Sequence, residues 1–138
     1  MAIDAWGRGR SVDSEKITIN LGFVDLGQID LLVAEGFYSN RTDFIRTAIR
    51  NQLSRHDGEV RKSVARKSLD LGLRHITRRE LEELQAAGEA LEIQVLGLVS
   101  IAADVTPELA RATIASVQVL GSFQASADVK AALRDRMS

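Results

Sequence analysis

The chain has 138 residues, 45% of them hydrophobic, no cysteine and a formal net charge of −1. Such a length accommodates one small domain or two very small ones with a buried core, and the missing thiols exclude disulfides, zinc–thiolate sites and cysteine catalysis and suit a reducing compartment. No apolar run approaches a membrane span, and the start Met1 to Trp6 lacks the basic-then-apolar order of a signal peptide, so the expected location is cytoplasmic.

The charge is unevenly placed: residues 1–67 carry eleven Lys/Arg against nine Asp/Glu, whereas residues 68–138 carry seven against ten. Only the first half therefore has a positive surplus. Residues 1–13 form a Gly-rich basic arm in which Arg8 and Arg10 are candidates to follow phosphates or enter a minor groove. A solvated tail is an equal reading, and Trp6 alone makes no stacking site.

From Glu15 to Leu21, Ile17, Ile19 and Leu21 alternate with Lys16, Thr18 and Asn20. Period two puts the apolar set on one face of a strand and the polar set on the other. No second strand pattern follows within about forty residues to form a hairpin, and an unpaired strand leaves its backbone polar groups without partners. A second chain is the simplest partner. Antiparallel pairing of two copies makes a two-stranded ribbon whose polar face fits a DNA major groove.

The stretch Val24 to Glu35 places Leu26, Ile29, Leu32 and Val33 at helical spacing, and Gly36 supplies a left-handed stop. A second helix starts at Asn40, whose cap is followed three residues on by Asp43, and carries Phe44, Ile45, Ala48, Ile49 and Leu53 as its apolar stripe. Unpaired N–H groups, the positive end of the helix dipole and Arg41 make that N-terminus a phosphate site.

In this order of elements, residues 15–54 resemble the ribbon-helix-helix fold of Arc, MetJ and CopG type transcriptional regulators. The resemblance covers about the first third of the chain. It implies an obligate homodimer that binds double-stranded DNA through an intermolecular β-ribbon and acts as a regulator, expected to be a repressor, on the nucleoid. Carried onto this sequence, the base readers are Lys16, Thr18 and Asn20, and the phosphate anchor is Asn40, Arg41 and Thr42. The start of helix one, Gly22 to Asp25, departs from the Pro or Ser common there.

Residues 55–67 are expected to be a charged connector, helical after Gly58. Beyond it, Ile93 to Gly97 (IQVLG) recurs as Val117 to Gly121 (VQVLG), 24 residues later, and Ala103-Asp104-Val105 recurs in step as Ala127-Asp128-Val129. Leu69 to Ile76 reads as a third, degraded copy. Thr106-Pro107-Glu108 and Thr77 to Glu80 are helix starts. Each unit is read as a strand, a glycine, a second short strand and a helical segment.

The expected fold class is therefore α+β, a ribbon-helix-helix domain over 14–54 followed by a strand/helix repeat region over 68–138 that forms a short solenoid-like stack. A period in the twenties suits coils that must stack to bury an apolar face, and open ends of such a stack favour self-association. Val95, Leu96, Gly97, Val119, Leu120 and Gly121 are the candidate oligomerisation residues, giving a higher homo-oligomer.

No catalytic or cofactor constellation stands out. His56 and His75 have no ligand spacing, no phosphate loop or GxSxG elbow occurs, and Glu80, Glu82, Glu83 and Glu89 read as a solvated helix face. No metal or cofactor is expected. The same residues also fit an antitoxin or plasmid-partition protein whose C-terminal half holds a toxin or partition partner, and a filament-forming structural protein.

Overall fold

The computed structural model describes residues 14–138, and the chain divides into two compact units, Met1–Ser63 and Val64–Ser138. The expected arm residues Arg8 and Arg10 lie outside the described residues.

In the first unit, residues 14–22 adopt no regular secondary structure and are exposed throughout. Two helices follow, α1 (Phe23–Ala34) and α2 (Arg41–Arg55). Helix α1 ends in a Schellman motif: Gly36 takes φ +86°, its N–H donates to the Val33 carbonyl at 3.1 Å, and the Phe37 N–H donates to Leu32 at 3.0 Å. Both bonds satisfy carbonyls that the helix end would otherwise leave open. The turn delivers the chain to Asn40, whose side chain accepts the Asp43 N–H at 2.8 Å while the Asp43 carboxylate accepts the Ser39 N–H at 2.9 Å. Tyr38 meets Phe44 edge-on across this start, ring centroids 5.0 Å apart. Helix α3 (Asp57–Lys67) covers the stretch expected to be helical after Gly58 and begins one residue before it.

The second unit contains three strands, β1 (Asp70–Ile76), β2 (Leu91–Ile101) and β3 (Ile114–Gln124), paired in parallel in chain order. Each is followed by a helix: α4 (Arg78–Ala87), α5 (Pro107–Thr113) and α6 (Ala127–Ala132). Thr77, Thr106 and Ser126 each cap their helix by accepting an N–H three residues on. Parallel strands need such crossovers, and stacking the strands brings α4 beside α5 and α5 beside α6. The three units of the repeat are thus structurally equivalent, the degraded first copy included.

Two readings of the repeat are corrected. Each copy is one continuous strand running through its glycine, not two short strands, because Gly72, Gly97 and Gly121 stand side by side in register at φ +130°, +143° and +123°. At those angles glycine keeps the strand extended, and a Cβ on Gly97 or Gly121 would overlap the carbonyl oxygen of the glycine on the preceding strand. Glu80, read as solvated, instead forms a partly buried bidentate ion pair with Arg74 of β1, one arm of which is 3.1 Å long. Arg74 holds the Glu80 carboxyl below its usual range, and a hydrogen bond from the Thr77 backbone adds to that.

The hydrophobic core lies in this second unit, among Ile76 and Leu81, the strand residues Ile93, Val95, Val99, Ile101, Ile114 and Val117, and Val105, Leu109, Ala110, Val129 and Leu133 from the helical segments. Thr113, the one buried polar residue among those described, satisfies its hydroxyl by donating to the Leu109 carbonyl at 2.7 Å. In the first unit, Ile29 alone of the described residues is a buried hydrophobic.

Candidate nucleic-acid interface

Lys16, Thr18 and Asn20 are all exposed on the segment before α1. So are the apolar residues that alternate with them: Ile17 is 73% and Ile19 59% exposed, and Phe23 at the start of α1 is 93% exposed. Nothing within the described chain covers either face of this segment. It forms no strand here because a strand needs a partner for its N–H and C=O groups, and no other described segment pairs with it. The helices show the same lack of cover: Ile49 and Leu53 of α2 are exposed although they belong to its apolar stripe, and Leu31 of α1, outside that helix's stripe, is exposed as well.

The start of α2 is built as its sequence indicates. Asn40 is extended and caps through its side chain, so its oxygen serves the helix rather than a ligand. With Asp43 capped by Asn40 and the Phe44 N–H donating to the Asn40 carbonyl at 3.2 Å, the backbone N–H groups of Arg41 and Thr42 are those at the helix tip. A residue not singled out from sequence enters here. Asp30 of α1 accepts from Arg41 Nε and Nη2, both at 2.8 Å. The hydrogen bonds from Arg41 lower the Asp30 carboxyl pKa, and the same bonds raise that of the guanidinium. Arg41 is therefore held in place at the tip, with part of its charge answered by α1. The signal for this pair in the sequence is only a carboxylate on α1, and eleven residues of separation hide the partnership.

In the second unit, Val95 is 3% exposed and belongs to the core, and Gly97 and Gly121 serve strand stacking within one chain. Leu96 is half-buried and Leu120 is largely exposed, both next to the glycine row. A shallow depression lined by Arg111, Thr113, Ile114 and Arg136 holds two cations. Both are committed: Arg111 to Asp135 at 2.8 and 3.0 Å and to the Ala132 carbonyl, Arg136 to the carbonyls of Ile114 and Arg111. Among the described residues no group of three or more His, Cys, Asp or Glu could hold a metal ion, and no helix is long and apolar enough to cross a membrane.

Compared with known proteins, the chain is matched by the model of the ribbon-helix-helix transcriptional regulator family over residues 12–130. The match extends far beyond the N-terminal third, so the repeat region is part of what the family shares. No curated protein and no solved structure matches the chain.

Proposed function

Since the chain belongs to the ribbon-helix-helix transcriptional regulator family, we propose that it reads a specific operator as a homodimer, inserting a two-stranded ribbon from residues 15–21 of each chain into the major groove and acting as a repressor. The observation that carries this reading is the bare first unit. Its alternating Ile17, Ile19 and Leu21, with Phe23, Leu31, Ile49 and Leu53, leave a large apolar surface exposed in one chain. Burying an aliphatic side chain stabilises by about 1.5–3 kcal/mol, so pairing two copies supplies what the single chain lacks.

Pairing turns Ile17, Ile19 and Leu21 inward, and Lys16, Thr18 and Asn20 of both chains then form the outer face. These residue types fit base edges: Asn donates and accepts in pairs at adenine, and Lys donates to guanine. Arg41 and the N–H groups of Arg41 and Thr42 anchor a phosphate, with Asp30 fixing the guanidinium. The modest positive surplus of this half makes a single dimer a moderate binder, and the second unit raises affinity by joining dimers on adjacent sites.

Operator selection followed by footprinting tests this directly. Asn20→Ala should cost about 1–3 kcal/mol and relax preference at one position of each half-site while the dimer persists. Arg41→Ala should weaken binding to all sequences and lower the salt slope by about 0.9 for each phosphate that the variant no longer neutralises. Unchanged base preference in Asn20→Ala would sink the reader assignment.

A further inference from the structure

The two edges of the second unit's sheet are treated differently. Along β3 the chain's own C-terminal segment covers the start of the edge, at residues 114–117: Val117 bridges Met137 in parallel, the Ser138 N–H donates to the Val117 carbonyl at 3.0 Å, and Arg136 donates to the Ile114 carbonyl at 2.7 Å. Arg111 locks this segment through Asp135. Along β1 no such cover exists among the described residues, and Leu71 and Leu73 are each 70% exposed. An open strand of this kind, with no proline or lysine within it, is a template for another strand.

Gly72 adds a second observation. It holds the same positive φ as Gly97 and Gly121, but a Cβ there would meet open space rather than a neighbouring carbonyl. Its counterparts use the missing side chain to admit the backbone of the preceding strand. At Gly72 the corresponding space lies off the free edge, where one more strand would lie.

What strand fits is indicated by the order Asp70, Leu71, Gly72, Leu73, Arg74, which is complementary to itself when reversed. Antiparallel pairing about a two-fold axis at Gly72 sets Asp70 opposite Arg74 of a second copy and Leu71 opposite Leu73. Opposite charges and apolar pairs facing each other across strands are stabilising. Arg74 has donors to spare, because Glu80 and the His75 carbonyl engage only Nη1 and one position of Nη2. Head-to-tail stacking of β1 on another copy's β3 would meet the C-terminal segment at residues 114–117.

We propose that β1 is a self-association edge, joining two copies of this chain antiparallel through residues 70–74 into one six-stranded sheet. The contact is isologous, so this edge by itself joins two copies and no more, and with the N-terminal ribbon it links one dimer to the next. This edge deepens the assembly part of the function proposed above and rests on it.

The chain has no cysteine, so introduced thiols report without background. Full-length Leu71→Cys and Leu73→Cys chains are mixed while reduced and then oxidised. Directly opposed antiparallel residues lie about 4.5–5.5 Å apart, within disulfide reach. The mixture should yield cross-linked dimer at least about tenfold above either variant alone, since like positions are offset along the ribbon. Asp70→Lys in both chains should lower that yield severalfold by facing Arg74 with a like charge. Cross-linking no greater in the mixture than in the single variants overturns the register, and none in any combination overturns the interface. The same pair of variants carrying Ile19→Asp should still cross-link, which separates this contact from the N-terminal ribbon. If the cross-link is absent while Asn20→Ala still relaxes base preference, the edge fails and the DNA reading stands.

Discussion

The two units of this chain solve the same problem in opposite ways. The second buries its own apolar residues, with thirteen of them forming one cluster, whereas the first buries Ile29 alone among those described. The difference follows from how each sequence is organised. A strand–helix unit repeated three times stacks on itself, so each copy covers the next. One segment without regular structure and two helices have no second layer, and their apolar residues remain for another chain. Self-sufficiency in one unit and incompleteness in the other are the structural basis for the proposal that the DNA-reading part works only as a pair.

The sharpest way to break the comparison is at Gly97. Gly97→Ala would place a methyl group on the Gly72 carbonyl at a φ that side chains rarely adopt, so the second unit should lose about 4 kcal/mol or more, and its cooperative transition in thermal unfolding should disappear. Survival of that transition would mean the glycine row is not what holds the strands together.

Ile19→Asp probes the other side. In a single chain this residue is 59% exposed and its replacement should change stability by no more than about 0.5 kcal/mol. If Ile19 is buried against a second copy, the dimer should weaken by about 3 kcal/mol or more, seen as a sedimentation shift toward smaller species and a first transition that falls on dilution. An unaltered dimer would remove the basis of the ribbon.

The smallest effect concerns pH. The Glu80 carboxyl, held by Arg74 below the ordinary glutamate value of 4.5, contributes stability that is fully present above the unfolded pKa and is lost as pH falls through the lower folded value. The second unit should therefore lose stability below about pH 4.5, and Glu80→Gln should flatten that dependence while leaving melting at pH 7 slightly lower. The pair is partly exposed, so solvent screening keeps the change small.

Much of the local structure is legible in the sequence because it depends on neighbours in the chain. Asn40 with Asp43, Thr77 with Glu80 and Thr106 with Pro107 each announce a helix start within four residues, and Gly36 announces a stop. The repeat of IQVLG as VQVLG points to equivalent units. What escapes are pairings across elements. Arg41 with Asp30, Arg74 with Glu80 and Arg111 with Asp135 join residues on different elements, and no periodicity marks them. The repeat itself suggests Val95 as an oligomerisation residue, yet Val95 is core: a hydrophobic strand residue reads alike whether it faces helices of its own chain or a partner.

By itself, the sequence determined the alternation of Lys16, Thr18 and Asn20 with Ile17, Ile19 and Leu21, the capped helices behind them and the 24-residue period, because each is set by side-chain direction and backbone geometry over a few residues. Only the tertiary structure decided that the three glycines stand in one row, that the C-terminal segment covers the start of β3 and that no described strand covers the outer edge of β1. Those outcomes depend on which strand lies beside which, and that is settled where whole elements compete for the same neighbours.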